Sequence, residues 1–202
     1  SYAVVATVVE EGYEGSATGT LVVAKAVASV TLDNLVQTYD GAPKAVEVST
    51  DPDALPVEVI YGAGSDSSLA GRAMRVASLL PVAAGTYAVE AIAADENHAG
   101  RAAGTLAILP ASQTIDFPEF GDQWTTAVVD LSATASSGLP VAFSVVAGPA
   151  SIDGTTLAFT GAGTVSILAS QAGDDNWTAA PDVIRTVQVQ EEPPALVVSA
   201  SG

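Results

Sequence analysis

The first 26 residues of this chain recur 85 positions later. Ser1 to Ala26 reads SYAVVATVVEEGYEGSATGTLVVAKA and Thr86 to Ala111 reads TYAVEAIAADENHAGRAAGTLAILPA; aligned without a gap, 11 of the 26 positions are identical. The shared positions include Tyr2/Tyr87, Gly15/Gly100 and the run Gly19-Thr20-Leu21/Gly104-Thr105-Leu106. One globular domain spans roughly 50–200 residues, so a repeat of this size predicts a string of whole domains. It also predicts that the chain opens two strands from the end of one repeat, as a window on a longer array.

Eighteen Gly and 11 Pro are spread along the chain, which suits many short strands joined by tight turns. Aromatic residues are few, and Ala and Val carry the apolar content. Small side chains bury little area each, at about 25 cal/mol per Å², so each domain should be only modestly stable. No apolar run reaches the roughly 18 residues that a membrane span needs. The longest, Val76 to Ala84, is broken by Ser78 and Pro81, so no membrane insertion is expected of this segment.

The charge is lopsided, with 23 acidic residues against six basic ones and a formal net of −17. A nucleic-acid binder shows the reverse, a basic patch that displaces counterions from phosphates, and that class is excluded. The plain reading of the charge is solubility and repulsion between neighbouring chains; the sharper one is that some carboxylates hold Ca²⁺. The chain has no cysteine, which removes thiolate chemistry and Cys-based zinc sites and leaves the redox compartment open.

Residues 1–26 read as a hairpin, with Tyr2, Val4, Ala6 and Val8 alternating in the first strand and Thr18, Thr20 and Val22 in the second. Residues 27–111 form one complete repeat. Val27 to Leu35 alternates, Tyr39-Asp40-Gly41 is a turn signal, and Val46–Val48 and Val57–Tyr61 are short strands split at Asp51-Pro52-Asp53. Ser65 to Leu80 fits neither period and reads as an insertion with one strand.

The next unit, 112–190, predicts strands near Thr114–Phe117, Val128–Ala135, Val141–Val146, Ser151–Ile152, Thr156–Phe159, Thr164–Ala169 and Ile184–Gln190. Its turns arrive every 8–12 residues or so, the pattern of an antiparallel β-sandwich. The tail 191–202 reads as a Pro-Pro linker followed by the start of another strand. The expected fold class is therefore all-β: tandem Ig-like antiparallel sandwiches behind an orphan hairpin. Both edges of that hairpin need protection, and it is expected to pack against or pair with the adjoining sandwich or a neighbouring molecule.

A faint third copy of the hairpin turn lies in 112–190. Asp174-Asp175-Asn176-Trp177 answers Asp95-Glu96-Asn97-His98, and Glu10-Glu11-Gly12-Tyr13 holds the same place in the first hairpin. The shared order is acidic, acidic, Asn or Gly, then a ring. The Asn/Gly position suits a left-handed residue, and the ring is expected to fold back and cap the end of the sandwich.

The segments VTLDNLVQTYDGAPKAVEVSTDP, PVAAGTYAV, DENHAG and GTLAI resemble the YDG/MBG ("mostly β") repeats of large bacterial surface proteins. SQTIDF, LSATASSGLPVAFSVVAGPASI and GAGTVSILASQAGDDNW resemble the Ig-like domain often found beside them. The resemblance implies tandem Ig-like modules in a secreted or surface-anchored bacterial protein, often adhesin-like, with neighbouring repeats as partners. It implies no catalytic residue.

Little chemistry competes with that reading. His98 is the one histidine, and its slot holds Tyr13 and Trp177 elsewhere, so it reads as a space-filling position. No serine has a G-x-S-x-G context, and the GAGS and GAGT segments lack the Lys-Ser/Thr of a phosphate loop. No enzyme is expected.

The candidate Ca²⁺ ligands are Asp95, Glu96 and Asn97, and Asp174, Asp175 and Asn176. Carboxylates from several loops could together supply six to eight oxygens, yet the spacing is not that of an EF-hand, and exposed turns are commonly acidic. Lys25 and Lys44 could cross-link to Asn or Asp, but both sit where exposure is the default. Trp124 and Trp177 could stack on sugars, or each could plug a sandwich end. The expected function is a structural spacer with no cofactor. Its alternatives are an adhesive module for a carbohydrate or protein ligand and a Ca²⁺-stiffened rod.

Overall fold

The computed structural model describes residues 1–63 and 80–194. Among them every regular element is a strand. The expected insertion at Ser65 to Leu80 falls almost wholly outside the described residues, as does most of the tail. By their contacts the described residues form two compact units. The second takes up Thr38–Ala42 and Ala83–Gly85 and runs on from Ile108; the first holds the rest.

The chain opens with β1 (Tyr2–Thr7) and β2 (Ser16–Leu21), an antiparallel hairpin in register from Tyr2↔Leu21 to Thr7↔Ser16. The expected docking of this hairpin on the adjoining sandwich is not what the structure shows. It forms a two-stranded sheet of its own, and every residue from Ser1 to Val27 is exposed. Tyr2, Val4, Val5 and Leu21 are all about half exposed or more. Alternation gave the hairpin an apolar face, but no described segment covers it.

The first sandwich follows as β3 (Ala26–Val27), β4 (Ser29–Asp33), β5 (Val36–Thr38), β6 (Glu47–Asp51), β7 (Val57–Ala63), β8 (Gly85–Ala93), β9 (His98–Ala99) and β10 (Arg101–Leu109). One sheet has the order β5-β10-β8-β7, and the pair β4-β6 forms another. The repeated hairpin, β8 and β10, is thus the middle of the larger sheet. Its inward residues Val89, Ala91 and Leu106 are at most 1% exposed. β4 lies over β10 so closely that a Cβ on Gly104 would meet Leu32 Cδ1 at 3.2 Å; just past the β3–β9 pair, one on Gly100 would sit 2.4 Å from the Ala28 carbonyl oxygen. β5 had no sequence signal, because its three residues alternate too briefly to register.

The second sandwich comprises β11 (Ile115–Asp116), β12 (Gln123–Trp124), β13 (Val128–Asp130), β14 (Thr134–Ala135), β15 (Ala142–Ala147), β16 (Ala150–Asp153), β17 (Thr156–Phe159), β18 (Gly163–Ser170) and β19 (Val183–Gln190). Sheets ordered β12-β19-β18-β15 and β13-β17-β16 share one core. Leu157 and Phe159 come from one sheet, and Val165, Ile167, Ala169, Val187 and Val189 from the other, with Phe117 and Leu131 between. Period-2 alternation in β18 and β19 sends these residues inward and leaves Thr164, Ser166, Thr186 and Gln188 to bond to one another outside.

The single strand expected at Val128–Ala135 is two. β13 pairs with β17 and β14 with β11, because the chain changes sheets at Leu131, which drops into the core at 4% exposure. The fold class is as expected: all-β, with Ig-like sandwiches in tandem along the chain. Two short parallel pairs, β3 with β9 and β12 with β19, add to the antiparallel ladders.

Candidate functional site

The two acidic turns that close the later hairpins are built alike. Asp95 Oδ1 accepts the backbone N–H groups of Asn97 at 2.9 Å and His98 at 2.7 Å. Asp174 Oδ1 accepts those of Asn176 and Trp177, both at 2.9 Å. This is an Asx turn, in which a short carboxylate stands in for a backbone carbonyl. It corrects the left-handed expectation. Gly12 does have φ +87°, but among the described residues only Asn34 and Ala54 are non-glycine residues with positive φ. Where an Asp can fold back on its own backbone, the turn needs no left-handed residue.

Each turn then grips the chain that enters the sandwich. The Asn97 carbonyl accepts Ala26 N–H and the Ala99 carbonyl accepts Ala28 N–H, while Lys25 Nζ donates to the Asp95 carbonyl at 2.6 Å. In the second unit the Asn176 carbonyl accepts Ala111 N–H, and Thr178 N–H donates to the Ala111 carbonyl. Ala26 and Ala111 are the last residues of the repeated 26-mer, so the third copy is real in geometry.

The rings diverge, against the expectation of a common cap. Tyr13 is 69% exposed. His98 Nδ1 donates to Asp95 Oδ1 at 2.6 Å, since an ionised carboxylate only accepts. Trp177 meets Tyr39 edge-on, with centroids 5.6 Å apart and planes at 84°. Asn176 Oδ1 also accepts Ala84 N–H at 2.8 Å. Trp124, the other candidate plug, is 45% exposed at the end of β12; the parallel pair with β19 leaves its ring outside the core.

The His98 bond, then the Asn97 N–H, hold the Asp95 carboxyl below its ordinary value of 3.8. A depressed folded pKa contributes stability that is present above the unfolded value and lost as pH falls through the folded one. In a carboxyl NMR titration Asp95 is expected to protonate below 3.8, and His98→Ala to bring it back up. An unchanged midpoint in His98→Ala would remove the ring as the leading cause.

A cleft of about 480 Å³ beside this turn is lined by Lys25, His98 and Arg101 over Ile92, Ala93 and Ala99. Arg101 is held at 2.5 Å by Glu90, a carboxylate buried in β8. Among the described residues no group of three or more His, Asp or Glu side chains is placed to hold a metal ion. Glu96 and Asp175 are exposed.

Sequence reasoning missed a buried amide network. Gln113 Nε2 donates to Gln171 Oε1 and to the Thr178 carbonyl, Ser137 Oγ donates to Gln113 Oε1, and Gln171 Oε1 accepts Gly173 N–H. Both glutamines are less than a tenth exposed. The network fixes the loop that carries Asp174 and Trp177.

Strands in tandem sandwiches, a reused hairpin and turns spent on the chain's own backbone define a repeat module of the mostly-β class. The chain belongs to the MBG-domain family, whose family model matches residues 1–27 and 28–112. No curated protein matches the chain. Among solved structures it is similar to Drosophila N-cadherin EC1-4, at 14% identity and a TM-score of 0.31, over 93% of this chain and 57% of that one. It is also similar to a SusE-like surface-located polysaccharide-binding protein from the heparin utilisation locus of Bacteroides thetaiotaomicron. There the identity is 15% and the TM-score 0.28, over 82% of this chain and 34% of that one. The chain thus spans less than two thirds of either structure, and at these scores the fold rests on the strand pairing above.

Proposed function

We propose that this chain is a non-catalytic spacer segment of a surface-associated bacterial repeat protein. Its sandwiches are strung in tandem to hold other parts of the protein away from the cell. The observation that carries this reading is the reuse of one hairpin turn at Asp95 and Asp174, with its polar atoms spent on the chain's own backbone. MBG-family membership supports a surface-protein module. The net charge of −17 supports mutual repulsion between neighbouring stalks.

Solution scattering on chains carrying one, two and three copies of residues 27–111 tests the spacer. Length should grow by a constant step per copy. A calcium titration is expected to leave the melting temperature where EGTA leaves it, because Asp95 and Asp174 already accept two backbone N–H groups each. Stabilisation of about 2.7 kcal/mol at a hundredfold excess over Kd would replace the plain spacer with a calcium-stiffened rod. The exposed Trp124 favours an adhesive module. Binding in a glycan screen that is abolished by Trp124→Ala would establish that reading instead.

A further inference from the structure

In the second sandwich, β19 is paired along its whole length on one side and at one end only on the other. β18 runs beside it from Val183 to Val189, whereas β12 meets only Val189 and Gln190. Successive residues of a strand turn their N–H and C=O to opposite sides. The Gln190 carbonyl accepts Thr125 N–H at 2.9 Å, so the even-numbered residues of β19 face the side that β12 leaves open. Ile184 and Thr186 each present an N–H and a C=O there.

The first unit shows why this edge is open. Its crossover, Asn34–Leu35, hands the chain straight from β4 to β5, and the Leu35 carbonyl accepts Ala107 N–H at 2.8 Å. The same crossover in the second unit, between β11 and β12, takes the longer path from Phe117 to Asp122. Gly121 lies four residues before Thr125, as Leu35 does before Tyr39, but its carbonyl accepts Gln123 Nε2 at 2.8 Å. Among the described residues this crossover makes no backbone bond to β19. A cleft of about 360 Å³ lies there instead, lined by Glu119, Phe120, Ile184, Arg185 and Thr186. Arg185 fixes its wall: Nε donates to the Phe117 carbonyl at 2.8 Å, and Nη1 stands 3.7 Å from Glu119 Oε1.

We propose that the open edge of β19 takes an added strand, an extended basic segment of a partner protein. Backbone N–H and C=O groups left unpaired along a strand are a template for another extended backbone. Ile184, 54% exposed, offers that guest an apolar neighbour. Glu119, with its side chain 85% exposed, offers a carboxylate. At a net charge of −17 the molecule repels an acidic segment or a second copy of itself and draws in one that carries lysine. The opposite edge of the same sheet, β15, is a poorer template. A bulge shifts its register between Val145 and Ala147, and bulges blunt an edge. A stalk built this way would hold a partner as well as a distance, which goes beyond the spacer reading.

The test is an NMR titration of the full chain with a blocked peptide of alternating lysine and valine. Amide exchange at Ile184 and Thr186 should slow by about tenfold at saturation, while Ser144 and Val146 on β15 stay as they were. The same peptide N-methylated throughout has no backbone donors and should give no protection. Glu119→Lys, at an exposed position, should weaken binding about fivefold.

Equal binding by the methylated peptide would mean attraction by charge alone and would overturn the proposal. So would protection at β15 in place of β19, an unaffected Glu119→Lys variant, or no binding at all. If Ile184 and Thr186 are protected before any peptide is added and lose that protection on dilution, a second copy is the occupant, against the proposal. A constant step in length per copy of residues 27–111 would uphold the spacer through any of these outcomes.

Discussion

Phe117→Ala is expected to destabilise the second unit by about 3–5 kcal/mol, a large share of the roughly 5–15 kcal/mol that holds a domain folded. Phe117 is 2% exposed and lies just past β11, where its ring fills the space between the two sheets. The rings of Phe143 and Phe120 stand 5.3 and 6.1 Å from it, tilted in both cases. Val165, Ile167, Val187 and Val189 of this core are β-branched and stiff at χ1, so they cannot readily swing into the gap. A truncated core residue costs its transfer energy plus the cavity it leaves when neighbours cannot collapse. Backbone anchoring limits collapse further, because the Phe117 carbonyl accepts Arg185 Nε at 2.8 Å. Both tryptophans lie in the second unit, so urea unfolding followed by tryptophan fluorescence reports that unit alone. A loss below about 1 kcal/mol would mean the core repacks around the site, against the cavity argument.

Much of this was legible before any coordinates. The 85-residue repeat marked the hairpins, and period-2 alternation marked β15, β17, β18 and β19 to within a residue or two. Local pattern reaches that far because one buried face forces alternation. It could not reach β12, two residues whose pairing with β19 is settled some 65 positions away in the chain. Nor could it show that the run from Val128 changes sheets at Leu131, since alternation continues through the crossing.

The acidic turns were visible as a pattern, and their placement at the ends of hairpins was right. Their mechanism was not visible. A run of two acids and an Asn is consistent with metal binding, with a left-handed turn or with a carboxylate capping its own backbone, and only geometry chooses among them. Nothing in the local sequence marks Gln113 and Gln171 as buried, since glutamine is mostly an exposed residue. A buried amide is recognised by its partners, which come from Ser137, Gly173 and Thr178.

The glycine turns of the second sandwich carry the sharpest remaining test, because the sequence treats Gly148 and Gly154 alike. Both follow a strand, both precede a short turn, and both have positive φ, at +95° and +62°. Their surroundings differ. A Cβ on Gly154 would meet nothing within 4 Å, while one on Gly148 would lie 2.2 Å from the Thr164 carbonyl oxygen and 2.7 Å from Val165 Cα. Those atoms belong to β18, which is hydrogen-bonded on both sides by β15 and β19 and cannot retreat without breaking a ladder. Gly154→Ala should therefore cost only the left-handed penalty, about 1–2 kcal/mol. Gly148→Ala carries that penalty and must also push apart two strands at a bulge that already shifts the register between Val145 and Ala147. Its expected cost exceeds about 4 kcal/mol, the range reserved for backbone or core disruption. Measured side by side by the same fluorescence-detected unfolding, the difference between the two variants isolates the close approach from the φ strain they share. If Gly148→Ala falls within about 1 kcal/mol of Gly154→Ala, the strand contact yields more easily than its flanking ladders allow.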